Sequence, residues 1–104
     1  MREGLQSDAR FAEAYVRGRA GKGYGIERIR WELRQRGIGR DAEPDFGEWD
    51  WDGLVGKVYC KKYGDTLPDS PAEQAARERF LLHRGFGRDD IRRLFRRLRQ
   101  GGDE

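Results

Sequence analysis

Arg36-Gly37-Ile38-Gly39-Arg40-Asp41 returns almost unchanged, 48 residues later, as Arg84-Gly85-Phe86-Gly87-Arg88-Asp89. A fixed offset of this kind indicates two stacked copies of one supersecondary unit. In each copy, the first glycine lies at a helix end, where a residue in the left-handed conformation is favoured. The aspartate that closes the copy lies at the start of the next helix, where negative charge is favoured. The stretch therefore predicts a helix-to-helix junction that occurs twice in the chain.

Amphipathic runs around the first junction predict three helices. The first should begin after an N-cap at Ser7 and end near Ala20, and a glycine-rich turn separates it from a helix over residues 26–36. A short, weak third helix should begin near Arg40, because the nearby Pro44 prevents a long one. We expect the first helix to bury the face that carries Phe11, Ala14, Tyr15 and Gly18.

The second junction also lies within three predicted helices. Asp50 or Asp52 should cap a helix that runs to about Tyr63. Ser70-Pro71-Ala72-Glu73 then predicts a helix start, with serine as N-cap, proline in the first turn and glutamate as the reciprocal capping partner. That helix should reach Arg84, and a last helix should span residues 88–99. The apolar face of the helix that Ser70 begins should carry Ala76, Phe80 and Leu81.

Together these elements predict an all-α fold of two tandem three-helix repeats, which form an elongated, right-handed-type helical rod. Hydrophobic residues make up 36% of the 104 residues and charged residues 39%, which leaves each helix one apolar stripe and each repeat a small core. The predicted repeats span residues 7–49 and 50–100. Residues 1–6 are expected to be the remnant of a preceding linker, and residues 101–104 a disordered tail.

Charge is distributed unevenly along the chain, although the formal net charge is only +3. Residues 41–52 hold six acids and no Lys or Arg, and 18 of the 22 basic residues are arginines. Arginine suits bidentate recognition of carboxylate or phosphate, so we expect an anionic partner, either nucleic acid or an acidic protein surface. The alternative, that exposed arginines only keep the chain soluble, stays open.

Residues that could carry chemistry are too sparse to predict an enzyme. Cys60 is the single cysteine and should be a small packed side chain, and His83 has neither a nucleophile nor metal ligands around it. The turn at residues 21–25 lacks the Gly-Lys-Ser/Thr ending of a phosphate-binding loop. We therefore predict no catalytic residue, no metal site and no cofactor. A polar N-terminus and the lack of a long apolar run predict a cytoplasmic protein with no membrane contact.

Aromatic residues divide into core and surface candidates. Trp31 lies off the apolar stripe among arginines, so it could stack on a base or a partner side chain, or cover a neighbouring helix. Trp49 and Trp51 flank the link between the repeats and should clamp the two together. Helical spacing assigns the others to the core: Phe11, Tyr15, Tyr59, Tyr63, Phe80 and Phe95.

Short motifs in both repeats resemble those of one family, the RecX regulators of bacterial RecA recombinase. The middle RecX repeat is similar to Asp8-Ala9-Arg10-Phe11-Ala12 with Tyr15 and Arg19, followed by Lys22-Gly23-Tyr24-Gly25, Arg28-Ile29, Leu33 and Arg36-Gly37-Ile38. The final RecX repeat is similar to Lys62-Tyr63-Gly64, Arg79-Phe80-Leu81-Leu82, Arg84-Gly85-Phe86 and Asp90-Ile91. RecX proteins usually carry three such repeats. The resemblance therefore implies that the first is missing, and that the chain is either a fragment or a short family member.

The resemblance also implies a function by binding alone. RecX-like proteins engage the RecA filament on single-stranded DNA and inhibit its extension, its ATP hydrolysis and strand exchange, which moderates DNA repair and the SOS response. The expected partners are the RecA filament and single-stranded DNA, within the filament or weakly alone, and the expected state is a monomer. The alternative is a stand-alone basic three-helix module that binds nucleic acid by itself.

Candidate binding residues lie around the glycine-rich turn, around the two junctions and on the last helix. Four ring the glycine-rich turn, four occupy equivalent places around the repeated turn, two belong to a basic cluster on the last helix, and Trp31 is the exposed aromatic candidate. They are Arg19, Lys22, Tyr24, Arg28, Trp31, Arg36, Arg40, Arg84, Arg88, Arg92 and Arg96.

Overall fold

Helices account for all the regular structure in the computed structural model, which describes residues 2–101. The five α-helices are α1 (Arg2–Gly21), α2 (Ile26–Gln35), α3 (Trp51–Tyr63), α4 (Pro71–Arg84) and α5 (Arg88–Gly101). Two short 3-10 helices, Arg40–Ala42 and Phe46–Glu48, lie between α2 and α3. The predicted all-α fold is confirmed, with 3-10 turns in place of the weak third helix.

Both copies of the repeated stretch end a helix in the same way. After α2, the N–H groups of Gly37 and Ile38 donate to carbonyls three and five residues earlier, at 3.0 Å each. After α4, the N–H groups of Gly85 and Phe86 make the same two bonds, at 2.9 and 3.1 Å. The two glycines have φ angles of +83° and +101°, and the residue after each is buried. These are two Schellman motifs, so the duplicated helix-end prediction holds in atomic detail.

Two hydrophobic cores follow one another along an elongated molecule of 54 × 26 × 19 Å. The half-buried Leu54 packs against both cores and so joins them. The handedness of the rod and the exact repeat boundaries stay predictions. The first core contains Ala12, Val16, Ala20, Ile29, Leu33, Ile38, Ala42 and Phe46. The second contains Val55, Tyr59, Leu81, Phe86, Ile91, Leu94 and Phe95.

α1 begins earlier than the sequence predicted. Its first residue is Arg2, so Ser7 lies inside the helix and is not its N-cap. Serine favours an N-cap but does not prevent a helix from continuing, and the one glycine among residues 2–6 costs only about 1 kcal/mol. Residues 2–6, predicted to be a linker remnant, are therefore helical. Met1 and residues 102–104 of the predicted tail lie outside the described residues.

The predicted buried face of α1 is wrong. The helix buries Ala12, Val16 and Ala20, which lie one turn apart, whereas Ala14 and Gly18 are exposed. Small residues at this spacing allow α1 to lie close to α2. The larger aromatics are displaced to the edge: Phe11 is 45% exposed and packs on the half-buried Tyr15 ring, with 5.6 Å between ring centroids.

Capping of the second repeat was predicted in part. Asp50 accepts a hydrogen bond from the Gly53 N–H at 3.0 Å, and Ser70 accepts one from the Glu73 N–H at 3.1 Å. The reciprocal half of the second cap does not form, because the Glu73 carboxylate binds Arg77 one turn further along α4. The side-chain caps of α3 and α4 are therefore Asp50 and Ser70.

The buried face of α4 includes an arginine, Arg77, and not the predicted Ala76. Ala76 is exposed, whereas Arg77 is buried, because its Nη1 donates to the Tyr59 hydroxyl at 2.7 Å and to the Thr66 carbonyl at 2.9 Å. These bonds replace part of the water that the guanidinium loses, and its buried Nε has no hydrogen-bond partner among the described residues. Cys60, next to Tyr59, is exposed and not packed as predicted, because α3 turns it away from the core.

The acidic run at residues 41–52 stabilises the link between the repeats. Asp45 accepts from the Gly47 N–H at 2.9 Å, and Asp52 accepts from Arg93 at 3.2 Å, which ties the start of α3 to α5. Trp51 donates its indole N–H to the Phe46 carbonyl at 2.7 Å, and it packs with Trp49 against the first core. The two tryptophans thus fix the link to the first repeat.

Candidate binding surface at the junction of the repeats

The second copy of the repeated turn docks on the glycine-rich turn between α1 and α2. The Gly25 N–H donates to the Arg84 carbonyl, and the Glu27 N–H donates to the Gly85 carbonyl, both at 2.8 Å. A Cβ on Gly25 would lie 2.6 Å from the carbonyl carbon of Gly85, and one on Gly85 would lie 2.6 Å from the Arg28 nitrogen. The backbones therefore approach too closely for any side chain to intervene.

The first copy of the turn has no such neighbour within the described residues. A Cβ on Gly37 or Gly39 would meet nothing within 4 Å. The two copies therefore cap their own helices identically, but only the second one joins the repeats.

The side chain of Tyr24 lies at the centre of this junction. Three guanidinium groups surround its ring, with 3.9 Å from the centroid to Arg19, 5.1 Å to Arg28 and 5.0 Å to Arg84. Arg84 also donates to the Lys22 carbonyl at 3.2 Å across the junction. Cation–π contact and hydrogen bonding thus hold these arginines in place.

Glu32 supplies the countercharge for two of the arginines. Its carboxylate accepts hydrogen bonds from Arg19 at 2.9 and 3.0 Å, from Arg28 at 3.0 Å and from the Tyr15 hydroxyl at 2.8 Å. Burial by itself would raise the pKa of Glu32, but the hydrogen bonds from Arg19, Tyr15 and Arg28 outweigh it and lower the pKa below its ordinary value. The hydrogen bond to Glu32 in turn raises the pKa of Arg19.

Glu32 is expected to make the protein sensitive to acid. A carboxyl group with a lowered folded-state pKa contributes stability that is present above its ordinary pKa of 4.5 and lost as the pH falls through the folded-state value. Glu32→Gln should lower the free energy of unfolding by about 2 kcal/mol at neutral pH. Urea unfolding of both proteins from pH 7 downward should show the difference shrinking below pH 4.5. A difference that stays constant with pH would contradict this role.

The structure divides the eleven candidate residues into two groups. Four of them, Arg19, Tyr24, Arg28 and Arg84, are half-buried at the junction. The three arginines donate hydrogen bonds there, and the Tyr24 ring packs against their guanidinium groups. The other seven are exposed, and Trp31 is 59% exposed. The exposed group is Lys22, Trp31, Arg36, Arg40, Arg88, Arg92 and Arg96.

Several arginines of α5 are bound within the protein. Arg92 pairs with Asp89 at 3.1 Å, and the neighbouring Arg97 donates to the Asp52 carbonyl at 3.2 Å. In the part of the chain that the structure describes, Arg88 and Arg96 make no side-chain hydrogen bond or ion pair. These two are the α5 cations most available to a partner.

Sequence reasoning missed three lysines of α3. Lys57, Lys61 and Lys62 are exposed and line a groove beside the junction, together with Lys22. The i, i+4 spacing of Lys57 and Lys61 places both on one side of α3, which is a signal that the sequence does contain.

Residues 2–101 include no α-helix with the length and hydrophobicity needed to span a bilayer. Among these residues there is also no cluster of three or more His, Cys, Asp or Glu side chains that could hold a metal ion.

Two family models match the chain. Residues 7–42 match the model described as RecX, second three-helix domain. Residues 56–95 match the model described as RecX, third three-helix domain. Each match covers most of one predicted repeat, in the predicted order.

Curated bacterial proteins named "Regulatory protein RecX" are similar over most of the chain. The protein of Cronobacter sakazakii is 45% identical over 92 residues, which are 86% of this chain and 56% of that protein. The protein of Pseudomonas putida is 44% identical over 88% of this chain and 61% of that protein. The protein of Yersinia pseudotuberculosis serotype O:1b is 40% identical over 85% of this chain and 50% of that protein. The chain thus spans about half the length of these relatives.

Proposed function

Since the chain belongs to the RecX family of regulatory proteins, we propose that it binds the RecA filament on single-stranded DNA and inhibits it. The inhibited steps are filament extension, ATP hydrolysis and strand exchange. Through them the protein moderates recombination, DNA repair and the SOS response in the cytoplasm. Binding is the whole of its activity in this proposal, and no catalytic step is assigned to it.

The observation that carries the proposal is the packing of two arginine-bearing repeats against each other in one elongated body. The molecule is 54 Å long, and exposed arginines occur on both repeats, as Arg40 does on the first and Arg88 on the second. A rod with exposed cations on both repeats can contact neighbouring protomers of a filament at once. Several weak contacts then add up to a high apparent affinity without any deep pocket.

The junction supplies the alignment, and the exposed side chains supply the contact. Two backbone hydrogen bonds and the arginines around Tyr24 hold the repeats in one relative orientation. This orientation spares the protein the entropy cost of ordering two separate modules on the filament. The proposed contact residues are therefore the seven exposed candidates, of which Trp31 offers the largest apolar surface.

A binding comparison tests the proposal. We expect the protein to bind a RecA filament on oligo(dT) at least tenfold more tightly than it binds oligo(dT) alone, a difference of about 1.4 kcal/mol in binding free energy. The reason is that the filament presents repeated protein sites in addition to the DNA. Fluorescence anisotropy at two or more salt concentrations measures both affinities. Equal affinity for the two, with a steep salt dependence, would favour the stand-alone nucleic-acid-binding module instead.

A further inference from the structure

All four lysines of this chain line one groove. The groove lies between the C-terminal end of α1 and the helices α3 and α4, and its volume is about 400 Å³. Lys22 lies on the α1 side, and the other three belong to α3. Every other basic residue of the chain is an arginine, and one of these, Arg84, completes the rim. The lysines are thus segregated at one site in an otherwise arginine-rich protein.

The floor of the groove is apolar. Leu54, Val58 and Phe80 form it, and all three are half-buried against the second core. Lys57 and Lys61 stand one helical turn apart above this floor, about 6 Å along the axis. A volume of this size is at the low end of the range for ligand sites, so it admits a few side chains and not a folded domain.

The groove carries positive charge without a counterion from the protein. Within residues 2–101, no acidic residue lines it. Among the described residues, none of the four lysine side chains makes an ion pair or a hydrogen bond, and the Lys62 ammonium lies over the Phe80 ring at 4.4 Å. Concentrating like charge in a concave surface costs energy in the free protein and attracts an anion.

We propose that this groove binds a short acidic peptide segment of a protein partner, with an apolar side chain on the floor and carboxylates against the lysines. The apolar floor supports this occupant, because a phosphodiester chain has only its bases to place there. Base stacking needs an open aromatic face. Phe80 offers none, since Lys62 and Arg84 lie 4.4 and 5.5 Å from its centroid and Tyr63 packs edge-on at 5.8 Å.

The type of cation supports the same occupant. Phosphate recognition favours the planar fork of arginine, which this chain uses almost everywhere else. Lysine brings a compact charge on a flexible apolar stem, and that stem can lie along an apolar side chain of the ligand. This proposal is separate from the proposed RecA contact, and the ligand of the groove can be tested without RecA.

The test uses the whole chain and a fluorescein-labelled probe peptide. The peptide consists of glutamates and aspartates around a central Leu-Phe pair. Its controls are the same peptide with Ser-Ser at the centre, and labelled oligo(dT). The variant Lys57→Glu with Lys61→Glu reverses two rim charges, and Arg10→Glu with Arg79→Glu makes the same change in net charge at exposed positions outside the groove.

We expect the acidic Leu-Phe peptide to bind the wild-type chain, and the Ser-Ser peptide to bind more weakly. Lys57→Glu with Lys61→Glu should weaken binding at least about tenfold, and the Arg10/Arg79 variant much less. Circular dichroism checks that each variant stays helical, and Lys57→Gln with Lys61→Gln repeats the test with a milder change. No peptide binding, or equal losses in the two reversed variants, would overturn the proposal. Loss of oligo(dT) binding alone in the Lys57/Lys61 variant would also overturn it, in favour of nucleic acid.

Discussion

Gly85→Ala is expected to lower the free energy of unfolding by about 3 kcal/mol and to loosen the contact between the repeats. Gly85 has a φ of +101°, where an L-residue is strained. Its added Cβ would also lie 2.6 Å from the backbone nitrogen of Arg28, so one of the two backbones would have to shift. Urea unfolding measures the loss, and hydrogen exchange at the amides of Gly25 and Glu27 reports on the contact directly.

The repeat itself provides the matched control. Gly37 is the equivalent residue of the first copy, with a φ of +83° and nothing within 4 Å of its Cβ position. Gly37→Ala should therefore cost only the backbone strain, about 1 kcal/mol, and should leave the Gly25 and Glu27 amides protected. Equal losses from the two substitutions would show that the docked turn contributes nothing beyond its conformation.

Reversing the charge of three exposed arginines is expected to abolish most of the proposed inhibition of RecA. The proposed change is Arg40→Glu, Arg88→Glu and Arg96→Glu together, at positions that carry no ion pair among the described residues. The fold should survive, since substitutions at exposed positions usually change stability little. Because each lost attraction becomes a repulsion, the protein concentration that gives half-maximal inhibition should rise at least about tenfold.

The control for this variant has the same net charge. Arg10, Arg17 and Arg79 are also exposed, and none of them is a candidate binding residue. Replacing these three with glutamate should leave inhibition within about threefold of the wild type, because only long-range attraction is lost. If both triple variants lost inhibition equally, net charge and not the proposed surface would account for the binding.

Local features of the fold could be predicted from sequence because neighbouring residues determine them. The two glycine helix ends, the Asp50 and Ser70 caps and the helical spacing of the core depend on contacts within a turn or two. The buried face of α1 could not be predicted, because the helix carries two apolar stripes. One is aromatic and includes Phe11, and the other consists of smaller residues and includes Val16. Packing against α2 decides between them.

The candidate site was predictable in composition but not in arrangement. Arg36 and Arg84 occupy equivalent places in the repeated sequence, yet only Arg84 is held across the junction. That difference depends on which turn lies next to Lys22 in space, a contact between residues 62 positions apart. The lysine groove was missed for the same reason, since Lys22 and the lysines of α3 come together only in the folded protein.

We propose that this chain regulates RecA through contact with its filament. The most direct test is the rate of RecA-catalysed ATP hydrolysis on single-stranded DNA as the protein is added up to one chain per RecA, with filament length followed by electron microscopy. We predict a slower rate and shorter filaments at or below that ratio. An unchanged rate and unchanged filament length, with tight binding of the protein to free single-stranded DNA, would contradict the account.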